Sequence, residues 1–121
     1  MLSPTRRAPT YALDIADAIL AISRRIQAAR RDLNTFEVFH LVASGETTWA
    51  EFANAIFAEA EGHGRSAVDV TPIATGDYPT PARRPANSRL DTSKVREIYG
   101  VRLPDWRASL APCVARLLAG R

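Results

Sequence analysis

Between Asp77 and Lys94 the chain reads Asp-Tyr-Pro-Thr-Pro-Ala-Arg-Arg-Pro-Ala-Asn-Ser-Arg-Leu-Asp-Thr-Ser-Lys, and no other stretch restricts the fold as much. Pro79, Pro81 and Pro85 each fix their own φ, lack an N–H and hold the preceding residue extended, so neither a helix nor an interior strand can run through them. The chain is therefore divided by a stiff, irregular connection. Stiffness lowers the entropy lost on binding. Arg83, Arg84 and Arg89, with Asn87 and Ser88, supply forked cationic donors and neutral hydrogen-bonding groups suited to a phosphorylated or carbohydrate ligand. A solvated connector whose arginines pair with nearby carboxylates or helix ends uses the same residues, and the sequence leaves both readings open.

With 121 residues and 46% apolar content the chain can bury one modest core and forms one domain at most. A net charge of +3 gives a weak preference for anions. Arg24-Arg25 and Arg30-Arg31 fall on the solvent face of one expected helix, not in a basic stripe interleaved with aromatics, so nucleic acid is not an expected partner. Cys113 is the only cysteine. It has no disulfide partner and no neighbours at metal-ligand spacing, and His40 and His63 do not complete a metal site, which points to a reduced, cytoplasmic setting with no metal ligands. No secretory leader and no apolar run of about eighteen residues is present, so no membrane span is expected.

Residues 1–11 read as an irregular, polar lead-in with the look of a cut end, and 12–119 as the folded unit. From Leu13 to about Arg31, Ile15, Ala16, Ile19, Ile22 and Ile26 recur at helical spacing. Phe36–Ala43 reads as a buried strand, with His40 as a hydrogen-bonded core residue. Thr48-Trp-Ala-Glu51 is a capping box, and the helix it starts carries Trp49 as a core residue and stops at Gly62. Val68–Ile73 has a short strand signal that Pro72 confines to an edge or end. Asp91 or Thr92 can cap a short helix carrying Val95, Ile98 and Tyr99 and ended by Gly100. A last helix follows Pro104, with a bend expected near Ser109 because Pro112 lies inside its pattern.

Catalytic motifs fail one by one. Gly62-His-Gly-Arg-Ser-Ala67 superficially fits a dinucleotide fingerprint but follows a helix and precedes a strand, the reverse of the required order. A tyrosine four residues before Lys94 would have to stand where Leu90 is. No serine or cysteine nucleophile has a histidine in a recognisable motif, and Glu59 with Glu61 is explained by a solvated helix face. No catalytic, cofactor-binding or metal-ligating residue is expected in this chain.

The order of pieces is nonetheless specific: Ala8-Pro-Thr-Tyr-Ala-Leu-Asp-Ile-Ala-Asp-Ala-Ile19, Phe39-His-Leu-Val-Ala-Ser-Gly-Glu-Thr-Thr-Trp-Ala-Glu-Phe-Ala53, Tyr78–Lys94 and Leu103-Pro-Asp-Trp106. Over residues 8 to 119 this resembles the C-terminal portion of the dTDP-4-dehydrorhamnose reductases, within the extended short-chain dehydrogenase/reductase superfamily. The proline-arginine block is the specific part. The resemblance implies the substrate-binding lobe of a Rossmann-type α/β reductase, α+β in character when taken alone, with about four helices and two or three short strands. It also implies reduction of a dTDP-linked 4-keto-6-deoxy sugar to dTDP-L-rhamnose with NADPH or NADH, and allows Mg as a further cofactor. In that family the cofactor loop and the tyrosine-lysine pair precede this portion, so the chain resembles a fragment, inactive alone. Its expected partner is the N-terminal Rossmann half or a second copy, and Arg83, Arg84, Asn87 and Ser88 are its expected sugar-nucleotide wall. A non-catalytic binding or regulatory module of the same fold is the alternative.

Overall fold

The computed structural model describes residues 6–29, 37–73, 81–82, 85 and 87–120. Four helices are built from them: α1 (Ala12–Ala29), α2 (Trp49–Gly62), α3 (Ser93–Tyr99) and α4 (Trp106–Ala119).

The helices α2, α3 and α4 each begin where a side chain can satisfy an orphan backbone donor. At α2 the Thr48 hydroxyl accepts from Glu51 N–H at 3.2 Å while Glu51 Oε2 accepts from Thr48 N–H, also at 3.2 Å, so the capping box forms as the sequence predicts. Asp105 caps α4 by accepting from Arg107 N–H at 2.9 Å. Ahead of α3 it is Asp91 that accepts from Ser93 N–H, at 2.9 Å, whereas Thr92 in the cap position makes no side-chain bond. Gly100 ends α3 with φ +64°, a left-handed turn that a side chain resists.

The main core lies between α2 and α4. Ala43, Trp106, Leu110 and Val114 are buried together, with Phe52, Ala55, Ile56 and Leu118 packed around them. Phe52 meets the Trp106 ring edge-on at 5.7 Å between centroids. Val95, Tyr99 and Leu103 are buried as well, and Phe39 closes on Tyr99 edge-on at 5.3 Å. α4 runs through Pro112 unbroken. The bond Pro112 cannot make would have gone to the Ala108 carbonyl, and both residues are exposed, so water can serve that carbonyl.

Neither expected strand forms among the described residues. A strand exists only beside a hydrogen-bonded neighbour. Residues 37–43 and 68–73 have none, and pairing is limited to the isolated bridges Arg6↔Asn87, Arg7↔Thr47 and Ser44↔Asp105. Phe36 lies outside the described residues. The β-rich composition of 37–43 thus finds no sheet among the described residues: Val38 is 77% exposed and His40 is exposed rather than a core residue. Trp49 also departs from its expected core role. It is 56% exposed, tilted against Phe52, with the Arg7 guanidinium 4.0 Å above its ring. A first-turn residue of a helix with a polar N-terminal edge is readily left outside, and the cationic cover makes use of its ring face.

Candidate functional site

Arg83 and Arg84 lie outside the described residues. Asn87 and Ser88 are placed, and with Arg89 they form the foot of the proline-rich connection, where it is fastened to the body of the domain.

Three contacts hold that foot. The backbone of Asn87 bridges Arg6 in parallel, and Ser88 N–H donates to the Arg6 carbonyl at 3.1 Å. Asn87 Oδ1 accepts from both the backbone N–H and the Nε of Arg89, at 3.0 and 2.9 Å. The Arg89 guanidinium then reaches Glu46 Oε2 at 2.6 Å through Nη1. Asn87 is therefore engaged through its carbonyl oxygen, and only its amide nitrogen can serve a ligand as donor. Arg89 behaves as the connector reading expects, paired with a carboxylate, while Ser88 stands exposed.

The lead-in is the other half of this fastening. Arg7 and Thr47 exchange backbone bonds at 2.9 and 2.8 Å, and Arg6 approaches Glu46 at 4.0 Å and Glu51 at 3.7 Å. Thr10 Oγ1 accepts from Ala43 N–H at 3.0 Å, and Ser109 Oγ donates to Asp14 Oδ2. Residues 6–11 thus form neither helix nor strand, yet they are stitched between the Thr47 turn and the Asn87 foot. Sequence reasoning missed Arg6, Glu46 and Trp49, because each acquires its role from a partner dozens of residues away.

Electrostatics sharpen the same region. The Glu51 carboxyl is held below the usual glutamate range, first by the Thr47 hydroxyl, then by the Thr48 N–H, with Arg6 and Arg107 adding attraction against a small opposing desolvation. The Asp91 carboxyl is likewise lowered, chiefly by the Ser93 N–H. Both stay ionised at neutral pH and act as acceptors only.

Gly62 ends α2 and Gly64, at φ +85°, turns the chain away from it, so this is a helix exit and not the strand-to-helix turn that cradles a pyrophosphate. Among the described residues no three His, Cys, Asp or Glu side chains come together as a cation site.

A family model described as the RmlD substrate binding domain matches residues 2–119. The chain belongs to the RmlD substrate-binding domain family. It is 43% identical over 115 residues to a dTDP-4-dehydrorhamnose reductase of Sinorhizobium fredii, covering 93% of this chain and 38% of that protein. Against the Escherichia coli K12 enzyme of the same name it is 39% identical over 105 residues, covering 85% of this chain and 34% of that protein. The chain thus spans a little over a third of the length of the curated relatives it matches. A solved dTDP-4-dehydrorhamnose reductase from Clostridium acetobutylicum superposes with a TM-score of 0.78 at 26% identity, over 94% of this chain and 36% of that one. A Bacillus anthracis reductase, solved in complex with NADP, shares the fold with a TM-score of 0.70 at 24% identity, over 97% and 36%. The expected substrate lobe, with about four helices and two or three short strands, agrees with the family match and the four helices, while only isolated bridges stand for the strands among the described residues.

Proposed function

We propose that this RmlD substrate-binding domain is the part of a dTDP-4-dehydrorhamnose reductase that holds the nucleotide sugar, with residues 12–119 as the lobe and 1–11 as its lead-in. The activity it serves is reduction of dTDP-4-dehydro-6-deoxy-L-mannose to dTDP-L-rhamnose by NADPH, or NADH, in the cytoplasm. The observation that carries this reading is the family match across residues 2–119 together with its reductase relatives. The nicotinamide cofactor supplies hydride and binds on residues other than those of this lobe, in the two thirds of the relatives that the chain does not cover. The lobe's own work is positioning, because hydride transfer requires the ketone to be held in a near-attack arrangement against the cofactor.

In this reading Arg83 and Arg84 face the nucleotide sugar as forked donors. Asn87 contributes its amide nitrogen and Ser88 its hydroxyl. The supporting feature is the fastening of the foot immediately after them, through Ser88 N–H to Arg6 and Arg89 to Glu46. A loop anchored at its foot and stiffened by proline loses little freedom when it closes on a ligand.

The test is reconstitution. The chain alone, mixed with the ketosugar nucleotide and NADPH, gives no loss of reduced-nicotinamide absorbance. Supplied with the preceding two thirds of the Sinorhizobium fredii reductase, it gives loss that requires the ketosugar, and Arg84→Ala raises KM roughly tenfold with kcat less affected. Turnover by the chain alone, or a folded mixture indifferent to the ketosugar, overturns the proposal.

A further inference from the structure

Behind the foot of the connection lies a groove of about 330 Å³ that the sugar-holding role does not use, and three arginines, Arg89, Arg96 and Arg102, line it. The turn Ser44-Gly45-Glu46 also lines it, and Glu46 is the only carboxylate in the lining. That carboxylate is already taken, by Arg89 at 2.6 Å with Arg6 at 4.0 Å. The nearby Asp91 carboxylate, outside the lining, starts α3 through Ser93 and attracts Arg96 from there. Arg96 and Arg102 therefore bring positive charge to the groove that no acceptor of its wall neutralises.

Two further features make it more than a chance cluster of exposed side chains. Arg102 is oriented: its Nε donates to Ser44 Oγ at 3.2 Å, and that hydroxyl in turn donates to the Leu103 carbonyl at 2.6 Å. The fork's two terminal nitrogens make no hydrogen bond among the described residues. Gly45 stands at φ +80°, and no hydrogen bond among the described residues engages the successive N–H groups of Gly45 and Glu46. Consecutive free amides beside a left-handed residue form the kind of concavity that receives an oxyanion. A guanidinium fork beside them matches the same ligand in charge and shape.

We propose that the groove between the Ser44–Glu46 turn and Arg96 and Arg102 binds an oxyanion of the phosphate class. Arg102 grips it through its terminal nitrogens, Arg96 adds a second cation, and Arg89, held off by Glu46, borders the site. The volume is near the lower end of small-ligand sites and suits a phosphate or diphosphate in place of a whole nucleotide. This inference does not depend on the sugar-holding role or on any cofactor.

Isothermal calorimetry of the chain with inorganic pyrophosphate tests it directly. Binding is expected, weakening as sodium chloride is raised. Arg102→Gln and Arg96→Gln each lower the affinity roughly tenfold, Arg102→Lys falls between because it keeps charge but loses the fork, and Arg65→Gln, outside the groove, changes nothing. All three positions are exposed, so thermal unfolding of the variants stays at the wild-type midpoint. A flat titration of the wild-type chain, or an Arg65→Gln loss as large as that of Arg102→Gln, overturns the proposal. A second titration with dTDP identifies the source: displacement of pyrophosphate assigns the site to the nucleotide's phosphates, and its absence alongside pyrophosphate binding assigns it to a free phosphate. Failure here leaves the reconstitution outcome untouched, and failed reconstitution leaves this titration untouched.

Discussion

The Glu51 carboxylate accepts from the Thr47 hydroxyl at 3.1 Å and the Thr48 N–H at 3.2 Å, with the Arg6 guanidinium 3.7 Å away. Because these contacts favour the ionised form, its folded pKa is depressed, and the stabilisation is fully present above the unfolded value of about 4.3 and lost as pH falls through the folded one. Chemical denaturation between neutral pH and pH ~3 should therefore show a steeper acid loss for the native chain than for Glu51→Gln; parallel curves would mean that the carboxylate is not coupled to folding. Thr48→Ala removes the reciprocal bond and should lower stability by about 1 kcal/mol at neutral pH. Gly45 is restricted on two counts: its φ is +80°, and a Cβ there would collide with the Asp105 carboxylate that caps α4. Gly45→Ala should cost about 1–3 kcal/mol in the same assay. The Thr48-Trp-Ala-Glu51 pairing was legible in the sequence because a capping box is closed within four residues. The Glu46–Arg89 pair spans 43 residues, and no local rule could have joined them.

At the scale of elements, what the sequence made readable was helical. Apolar spacing and end signals located all four helices: α2 ends at Gly62 with a left-handed turn at Gly64, and Gly100, itself left-handed, ends α3. What failed were the strands, for a reason internal to sheets. The composition of 37–43 describes a surface that fits between neighbours, and no strand pairs with it among the described residues. Trp49 was misplaced for a related reason, since helical periodicity gives a face but not what covers it. The proline in α4 offers a sharp check. Pro112 and Ala108 are both exposed residues, so Pro112→Ala restores one helical bond without disturbing the core and should raise stability by roughly 1–3 kcal/mol in urea unfolding. Trp106→Ala, which empties the centre of the α2–α4 packing, should lower it by about 3–5 kcal/mol. A neutral Pro112→Ala would show that α4 already bends enough to relieve the clash.

Taken as a whole, the molecule leaves its longest helix incompletely covered. α1 buries Ala18 and half-buries Ile15, Ile22 and Ile26, but Ile19 and Leu20 are each 54% exposed and Leu13 is 41% exposed. In the reading proposed above, an apolar face of this kind on one side of a small basic domain is where the rest of the reductase packs. Replacing both Ile19 and Leu20 by Glu separates the two possibilities. If the side chains serve only a docking surface, the double variant keeps the unfolding free energy of the parent within about 0.5 kcal/mol and elutes as a cleaner monomer in size-exclusion chromatography, because neither residue supports the lobe's own core. It then fails to restore ketosugar-dependent oxidation of NADPH when mixed with the preceding part of the reductase, since two charges would have to be buried without partners. Loss of stability in the isolated variant would place these residues in the lobe's own packing instead, and undiminished reconstitution would move the docking surface off α1.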